Sequence, residues 1–523
     1  MRDQGLSKGD NPLKEAKKLS YRPAWCLFTI CLIVYSLTAY GGIRSTDSEI
    51  VFRTAQSLAQ NGSFAVSEGV LWEGFGLAEG KDGRFYSIFG PGQSLLLVPF
   101  VWIGNTLNST GWYKNLPIPI HPSHQVGQGL FYYVGSVKPV DLQPHALRAA
   151  ISVYNVLVSA LTVLVFWFLL VTLGYSSRTA TMTAVLLAFG SLLWPYSGTF
   201  FSEPLATLFT VLSLFFLLQE GRGKSGHSSR GRWTVMGGLT LGLASTVHIT
   251  AVLSLPFFIL LTGSRDRCTR PDMKNIRVAG TLFTLGFLLP MILLGYYNFI
   301  RFGNVLETGR FMDTALAGRL FYGKFTLSFL GLYGLVAGGA KGLLVTSPST
   351  LLGVFSWRQF ARRHGYLSHV LLAMVVFRIL FIALRSDWHG GYCLGPRYLV
   401  MIIPFTLIAV ASWLEGPTGD KLSGLTLSLI AVACVSVQLH FALGEIFTFY
   451  YLIKWTYAPD GIAALKVLYP YLTWEFSPLV ALPPNYRGPW LLEIVPLSNR
   501  TLWMLGTAFL FPVMFYFQRW GRR

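Results

Sequence analysis

Asp47 and Glu49, in Thr46-Asp47-Ser48-Glu49, follow directly on an apolar run from about Ala24 to Gly42 that is long enough to cross a bilayer as a helix. A third acid, Glu203, sits in Phe200-Phe201-Ser202-Glu203-Pro204 at the head of another apolar run. Ionisable groups at a membrane exit are costly, and their default reading is functional. At a helix start the dipole keeps Asp47 ionised, which is what a general base requires. Two acids brought together at one rim can position an acceptor hydroxyl or amine. Both also have plain structural readings. Thr46 and Glu49 form a capping box, with Thr46 capping and Glu49 reaching back. Glu203 beside Ser202 and Pro204 compensates a helix dipole.

Three cations, Arg301, Lys341 and Arg397, stand on the side of the membrane that the positive-inside bias leaves poor in basic residues. A lipid-linked phosphate accounts for them, because a guanidinium matches phosphate oxygens bidentately. An ion pair or a phospholipid headgroup accounts for any single one equally well. Arg84, Tyr86 and Gln93, around the turn Gly90-Pro91-Gly92, and His389, in Trp388-His389-Gly390-Gly391, are further candidate substrate contacts. His248, between two apolar stretches, reads as a bonded structural group.

The elements that must position these groups are membrane helices. Of 523 residues, 52% are hydrophobic and only 12% charged, half the charge of an ordinary soluble chain. The net charge of +19 does not point to nucleic acid, because the basic residues cluster in short connectors between apolar runs. The five cysteines are far apart and form neither a disulfide framework nor a zinc spacing. The first apolar run has no small-residue cleavage site and reads as an uncleaved span.

Beyond the first run, spans are expected at about 147–172, 179–197, 203–218, 234–247, 248–263, 278–298, 343–356, 368–385, 398–413, 424–442 and 501–518, about twelve in all. The fold class is thus an all-α polytopic membrane protein. The clusters Arg222/Lys224/Arg230/Arg232, Arg265/Arg267/Arg270/Lys274/Arg277, Arg358/Arg362/Arg363 and Arg519/Arg522/Arg523 all fall on one side of that count, which puts both termini in the cytoplasm. Long loops at 45–146, 299–342, 386–397 and 443–500 fall outside, and long loops of low charge suggest function. The first is expected to hold a surface helix after Thr46 and a second, half-buried helix over Leu95–Trp102.

Together these features resemble the GT-C class of membrane glycosyltransferases, and most closely the bacterial relatives of protein O-mannosyltransferases and of the lipid A aminoarabinose transferase. The resemblance runs from Ala24 to about Trp413. It rests on the acid Asp47 at the start of a juxtamembrane helix, on Glu203 beginning the fourth span, on Gly90-Pro91-Gly92-Gln93 leading into a second juxtamembrane helix, and on Asn298-Phe299-Ile300-Arg301-Phe302-Gly303 and Gly395-Pro396-Arg397-Tyr398. The usual adjacent acid pair of the class is one residue wider here. The resemblance implies a GT-C-like bundle that transfers a sugar from a polyprenyl-phosphate donor to a lipid, glycan or protein acceptor outside the cell, with inversion. Asp47 (or Glu49) would be the base, Glu203 would orient the acceptor, and Arg301, Lys341 or Arg397 would stabilise the departing phosphate. It implies a bacterial inner membrane. Metal use varies across the class; the sequence offers no ligand set, and a divalent cation stays open. The chain divides into a tail, 1–23, a catalytic module, 24–413, and a C-terminal segment, 414–523. The competing reading is a secondary transporter or a flippase for lipid-linked saccharides, although no repeated halves are visible.

Overall fold

In a bilayer every backbone polar group must be satisfied within the protein, so apolar runs fold as helices. The computed structural model describes residues 21–43, 45–66, 76–111, 145–220, 231–262, 269, 271–310, 325–326, 329–416, 421–447, 449–450, 471–482, 498 and 500–508. In chain order its helices are α1 (Arg22–Leu37), α2 (Thr46–Asn61), α3 (Pro91–Thr110), α4 (His145–Ser152), α5 (Tyr154–Thr172), α6 (Ser177–Phe189), α7 (Leu193–Ser197), α8 (Glu203–Gln219), α9 (Arg232–Val247), α10 (Leu255–Leu261), α11 (Met273–Phe302), α12 (Phe329–Val336), α13 (Leu343–Thr346), α14 (Ser349–Ala383), α15 (Ile403–Glu415), α16 (Lys421–Leu443) and α17 (Pro478–Ala481). Tight 3-10 turns, Ile249–Ser254 and Arg397–Ile402, lead into α10 and α15.

Among the described residues, four stretches are long and apolar enough to cross a membrane: Ala150–Thr172, Met273–Phe302, Ser349–Ala383 and Arg397–Glu415. Shorter apolar helices, among them Arg22–Leu37 and Glu203–Gln219, accompany them. The chain is an integral membrane protein. Leu285, Leu289, Ile292 and Tyr296 of α11 are exposed, as a lipid-facing stripe requires. The opposite face of α11 packs closely on α9. A Cβ on Gly238 would strike the Phe283 carbonyl, and one on Gly242 would lie 2.7 Å from the Phe287 carbonyl. Small residues four apart let the two backbones touch.

Several expectations change in detail. The spans expected at 343–356 and 368–385 correspond to two helical arms of Ser349–Ala383, separated by a break at Gly365, whose φ of 29° and ψ of −105° no α-helix contains. The region 248–263 is a break at His248 followed by a 3-10 turn and a short helix. The second helix of the first loop runs the full Pro91–Thr110, started by Pro91 and ended by left-handed Gly111. The first loop is also not purely helical. Strands β1 (Ala65–Val66), β2 (Leu77–Glu79) and β3 (Phe85–Ser87) pair antiparallel in the order β1-β3-β2, with Ala65 and Ala78 both opposite Tyr86. Residues 112–144, most of loop 443–500 and the tail cluster Arg519/Arg522/Arg523 lie outside the described residues, as do most members of the first two basic clusters.

The buried core has two parts. The larger fills the space between α5, α6, α14 and α15, with Trp167, Phe258 and Phe360 among its fully buried rings. The smaller packs α2 and α3 onto the heads of α5 and α8 through Ile50, Phe52, Leu97, Tyr154 and Phe200. It seats the first loop on the bundle.

Candidate active site

The helix carrying Asp47 is capped one residue earlier than the spacing suggests. Ser45 is the cap, its Oγ accepting from the Ser48 N–H at 3.2 Å. Glu49 does not turn back; it is buried and accepts from Arg53 Nε at 2.7 Å, one turn on. Residues two apart on a helix face different ways, so Asp47 and Glu49 are not a pair. Asp47 is directed at Arg397 instead.

Glu203 is placed by the turn before α8. Asn155 Nδ2 donates to the Thr199 carbonyl at 2.9 Å and the Phe201 carbonyl at 2.8 Å, and the Tyr40 N–H donates to the Gly198 carbonyl at 3.2 Å. Pro204, in the first turn, removes a donor the helix would leave unpaired anyway. Gln93, at the start of α3, lies against the same turn; its Nε2 reaches the Phe200 carbonyl at 3.5 Å, and its Oε1 is buried without a partner.

Arg397 joins the two acids. Its Nη1 donates to Asp47 Oδ2 at 2.9 Å, and its Nε lies 3.6 Å from Glu203 Oε1. The guanidinium is sandwiched near the rings of Phe201 and Tyr398, at 4.9 and 5.1 Å. Two groups here carry unsatisfied capacity: Glu203 Oε2 and Arg397 Nε are buried with no hydrogen-bond partner. His248, set aside in the sequence as structural, stands beside Glu203, its Nε2 3.8 Å from Oε1.

The other two expected phosphate cations are elsewhere engaged. Arg301 is buried at the end of α11, where Nη1 donates to the Ser87 carbonyl at 2.6 Å, Nη2 to Asn298 Oδ1 at 2.7 Å and Nε to the Tyr297 carbonyl at 3.3 Å. It clamps β3 to α11. Lys341 is 0% exposed; its Nζ donates to the Gly391 carbonyl at 2.8 Å, to the Cys393 carbonyl, and to Cys393 Sγ at 3.3 Å. Burial pushes this amine down to about 8. It secures the loop that carries His389 and leads to Arg397. The His389 ring stacks on Tyr471 at 4.3 Å, and its Nδ1 accepts from the Gly391 N–H at 2.9 Å. Burial, then the charge of Lys341, holds this imidazole down to about 3, so it is neutral near pH 7.

Arg84 and Tyr86 both close on Asp82 in the hairpin between β2 and β3, at 2.8 and 2.7 Å. The hydrogen bond from Tyr86 leads the effects that hold the Asp82 carboxyl below its ordinary range. Arg84 is mostly exposed there, and no contact joins it to Asp47 or Glu203 among the described residues.

A divalent cation would need several convergent ligands. Among the described residues no group of three or more His, Cys, Asp or Glu side chains could hold one, and Arg397 already neutralises Asp47 and Glu203. These residues do not fit a metal.

Sequence reasoning missed Arg378. It is buried near the C-terminal end of α14, and an arginine inside an apolar run was the signal for it.

Residues 139–305 match the family model of dolichyl-phosphate-mannose-protein mannosyltransferase. None of the curated protein sequences matches the chain. Among solved structures, the chain is similar to the Archaeoglobus fulgidus oligosaccharyltransferase tethered with an acceptor peptide, at TM-score 0.50 and 14% identity, covering 91% of this chain and 63% of that one. It thus spans less than two thirds of that protein's length. It is also similar to ArnT from Cupriavidus metallidurans bound to undecaprenyl phosphate, at TM-score 0.44 and 12% identity, covering 90% of this chain and 78% of that one. The family match covers about a third of the chain, and the likeness to the oligosaccharyltransferase is one of fold.

Proposed function

We propose that the chain transfers a sugar from a polyprenyl-phosphate donor to a lipid, glycan or protein acceptor, with inversion. The observation that carries this is the pair of carboxylates, Asp47 from the first loop and Glu203 from the head of α8, meeting on one arginine. A glycosyl phosphate already has a good leaving group. What it needs from the protein is a base for the acceptor and a cation for the departing phosphate. Asp47, the more exposed of the two acids, takes the acceptor's proton as its oxygen attacks the anomeric carbon. The phosphate leaves from the opposite face, which inverts that carbon. Glu203 Oε2 and Gln93 Oε1, both lacking partners, receive hydrogen bonds from the incoming substrate.

Of the three cations expected at the phosphate, we assign that role to Arg397, whose Nε makes no hydrogen bond. Arg301 and Lys341 hold the frame, and Glu49 holds α2. Arg84 and Tyr86 shape the hairpin, and His389 shapes the loop before Arg397. We further propose that the catalytic module spans 24–413 within a bundle of about twelve spans, that both termini are cytoplasmic, and that the site opens on the outer face of a bacterial inner membrane. The mannosyltransferase family match over 139–305 and the acceptor peptide on the similar oligosaccharyltransferase favour this reading over a transporter or flippase.

The test is sugar transfer by the purified protein from a panel of radiolabelled polyprenyl-phosphate sugars, beside Asp47→Asn. Transfer, or slow donor hydrolysis, should fall about 10²–10⁴-fold in the variant while donor binding persists. Failure of the wild type to bind any lipid-linked sugar would return the transporter reading.

A further inference from the structure

Behind Glu203 lies a chain of side chains that no step above uses. Arg378 is 2% exposed near the C-terminal end of α14, and no carboxylate lies within ion-pair distance of it among the described residues. Its donors go to three residues, the third being Met401, whose Sδ lies 3.5 Å from Nη2. Nη1 reaches the Thr250 carbonyl at 2.9 Å and Nη2 the Thr250 hydroxyl at 2.7 Å, while Nε reaches the Tyr398 carbonyl at 2.9 Å. Thr250 Oγ1 in turn lies 2.8 Å from His248 Nδ1. A buried charge in a membrane bundle is expensive and is kept where it does something.

The donors and acceptors along this chain settle the orientation of each proton. A guanidinium only donates, so the Thr250 hydroxyl accepts from Arg378. Its own proton then has one described acceptor, His248 Nδ1. An imidazole that accepts at Nδ1 carries its proton on Nε2. That Nε2–H stands 3.8 Å from Glu203 Oε1, a separation that closes to a hydrogen bond with a small adjustment. The same arginine, through the Tyr398 carbonyl, fixes the residue next to Arg397, and the His248 ring rests edge-on against Tyr398 at 5.7 Å. One guanidinium thus sets both neighbours of Glu203.

The helix break serves this arrangement. His248 ends α9 in an extended conformation, φ −141° and ψ 107°, before the turn Ile249–Ser254 begins. A continuous helix would turn positions 248 and 250 some 200° apart, and His248 and Thr250 would not meet.

We infer that Arg378, Thr250 and His248 are positioning residues for sugar transfer, a relay that presents the His248 Nε2–H to Glu203 and holds its carboxylate toward the substrate. This rests on the reading of Glu203 given above, and two measurements separate the two claims. The first is turnover per folded protein. His248→Ala and Thr250→Val should lose roughly 10–100-fold, the range seen when a partner that orients a reacting group is removed, with the KM for donor little changed. His248→Gln, which returns an N–H donor at the position of Nε2, should recover most of it. The second needs no substrate. Dicyclohexylcarbodiimide modifies protonated carboxyls in apolar surroundings, and peptide mass spectrometry reads its adduct on Glu203. Labelling should rise severalfold in His248→Ala and Thr250→Val and stay at the wild-type level in His248→Gln. Equal labelling of Glu203 in all four proteins, or unchanged turnover in His248→Ala, overturns the relay. A wild type that transfers no sugar overturns the functional reading, while the labelling still decides the relay.

Discussion

Gly390 lies directly against the side chain of Arg397: a Cβ built on it would come within 2.8 Å of Cγ and 3.1 Å of Nε. Its φ of 70° is one that side-chain-bearing residues avoid. Gly390→Ala therefore acts twice, straining the loop by about 1–3 kcal/mol and displacing the arginine that joins the two acids. We expect a lower melting temperature in detergent and a turnover loss larger than unfolding explains. Turnover per folded protein equal to wild type would show that the arginine tolerates the shift.

Arg397 cannot be exchanged for lysine. Its planar fork spans two carboxylates and stacks between two rings, whereas an ammonium satisfies one partner at a time. Arg397→Lys should retain the fold and lose most turnover. Arg397→Ala leaves a buried carboxylate uncompensated, a change that costs about 3–5 kcal/mol in buried pairs. A thermal melt of both, with Glu203→Gln added to the alanine variant, checks this. The second substitution should restore part of the lost stability.

Arg301 should behave as a clamp. Replacing it with methionine strands the Ser87 carbonyl and Asn298 Oδ1, at about 1–3 kcal/mol for each buried group left unpaired. The expected result is reduced stability with the KM for donor unchanged in the protein that folds. A large rise in that KM would instead return Arg301 to the phosphate.

The loop before Arg397 carries the pH dependence. His389 is held at about 3 in the fold, against about 6.5 when unfolded. Between those values the unfolded chain binds the extra proton, so the contribution of His389 to stability is complete above pH 6.5 and fades as pH falls toward 3. Lys341, at about 8 against an ordinary 10.5, runs in the same direction. Below pH 8 its burial cost is felt in full, and stability rises as pH climbs from 8 to 10.5. Melting curves of wild type and His389→Gln should diverge between pH 7 and 4, the variant losing less. Parallel curves would mean that the histidine is not held neutral.

The residues that meet at Arg397 were legible because each breaks a local rule. Asp47 and Glu203 are acids at the rims of apolar runs, and Arg397 is basic at the head of another. What joins them was not legible, since 350 residues separate Asp47 from Arg397 and no periodicity records a contact of that span. The strands of the first loop escaped for a different reason: two or three residues are too few to display alternation. Two neighbouring hydroxyl residues, Ser45 and Thr46, can each cap a helix, and only the backbone shows that Ser45 does so. His248 read as structural because it stands alone between two apolar stretches, and its approach to Glu203, 45 residues back, leaves no mark in the sequence.

The distance along the chain between Asp47 and Arg397 has a further consequence during synthesis. At about 5–20 residues per second, roughly 20–70 s pass between the emergence of the acid and that of its counter-ion. Through that interval the nascent chain carries an uncompensated carboxylate at the membrane rim, and the bundle's ion pair closes only when most of the protein is made. Chains arrested before Arg397 therefore carry an acid without the counter-ion that finished ones have.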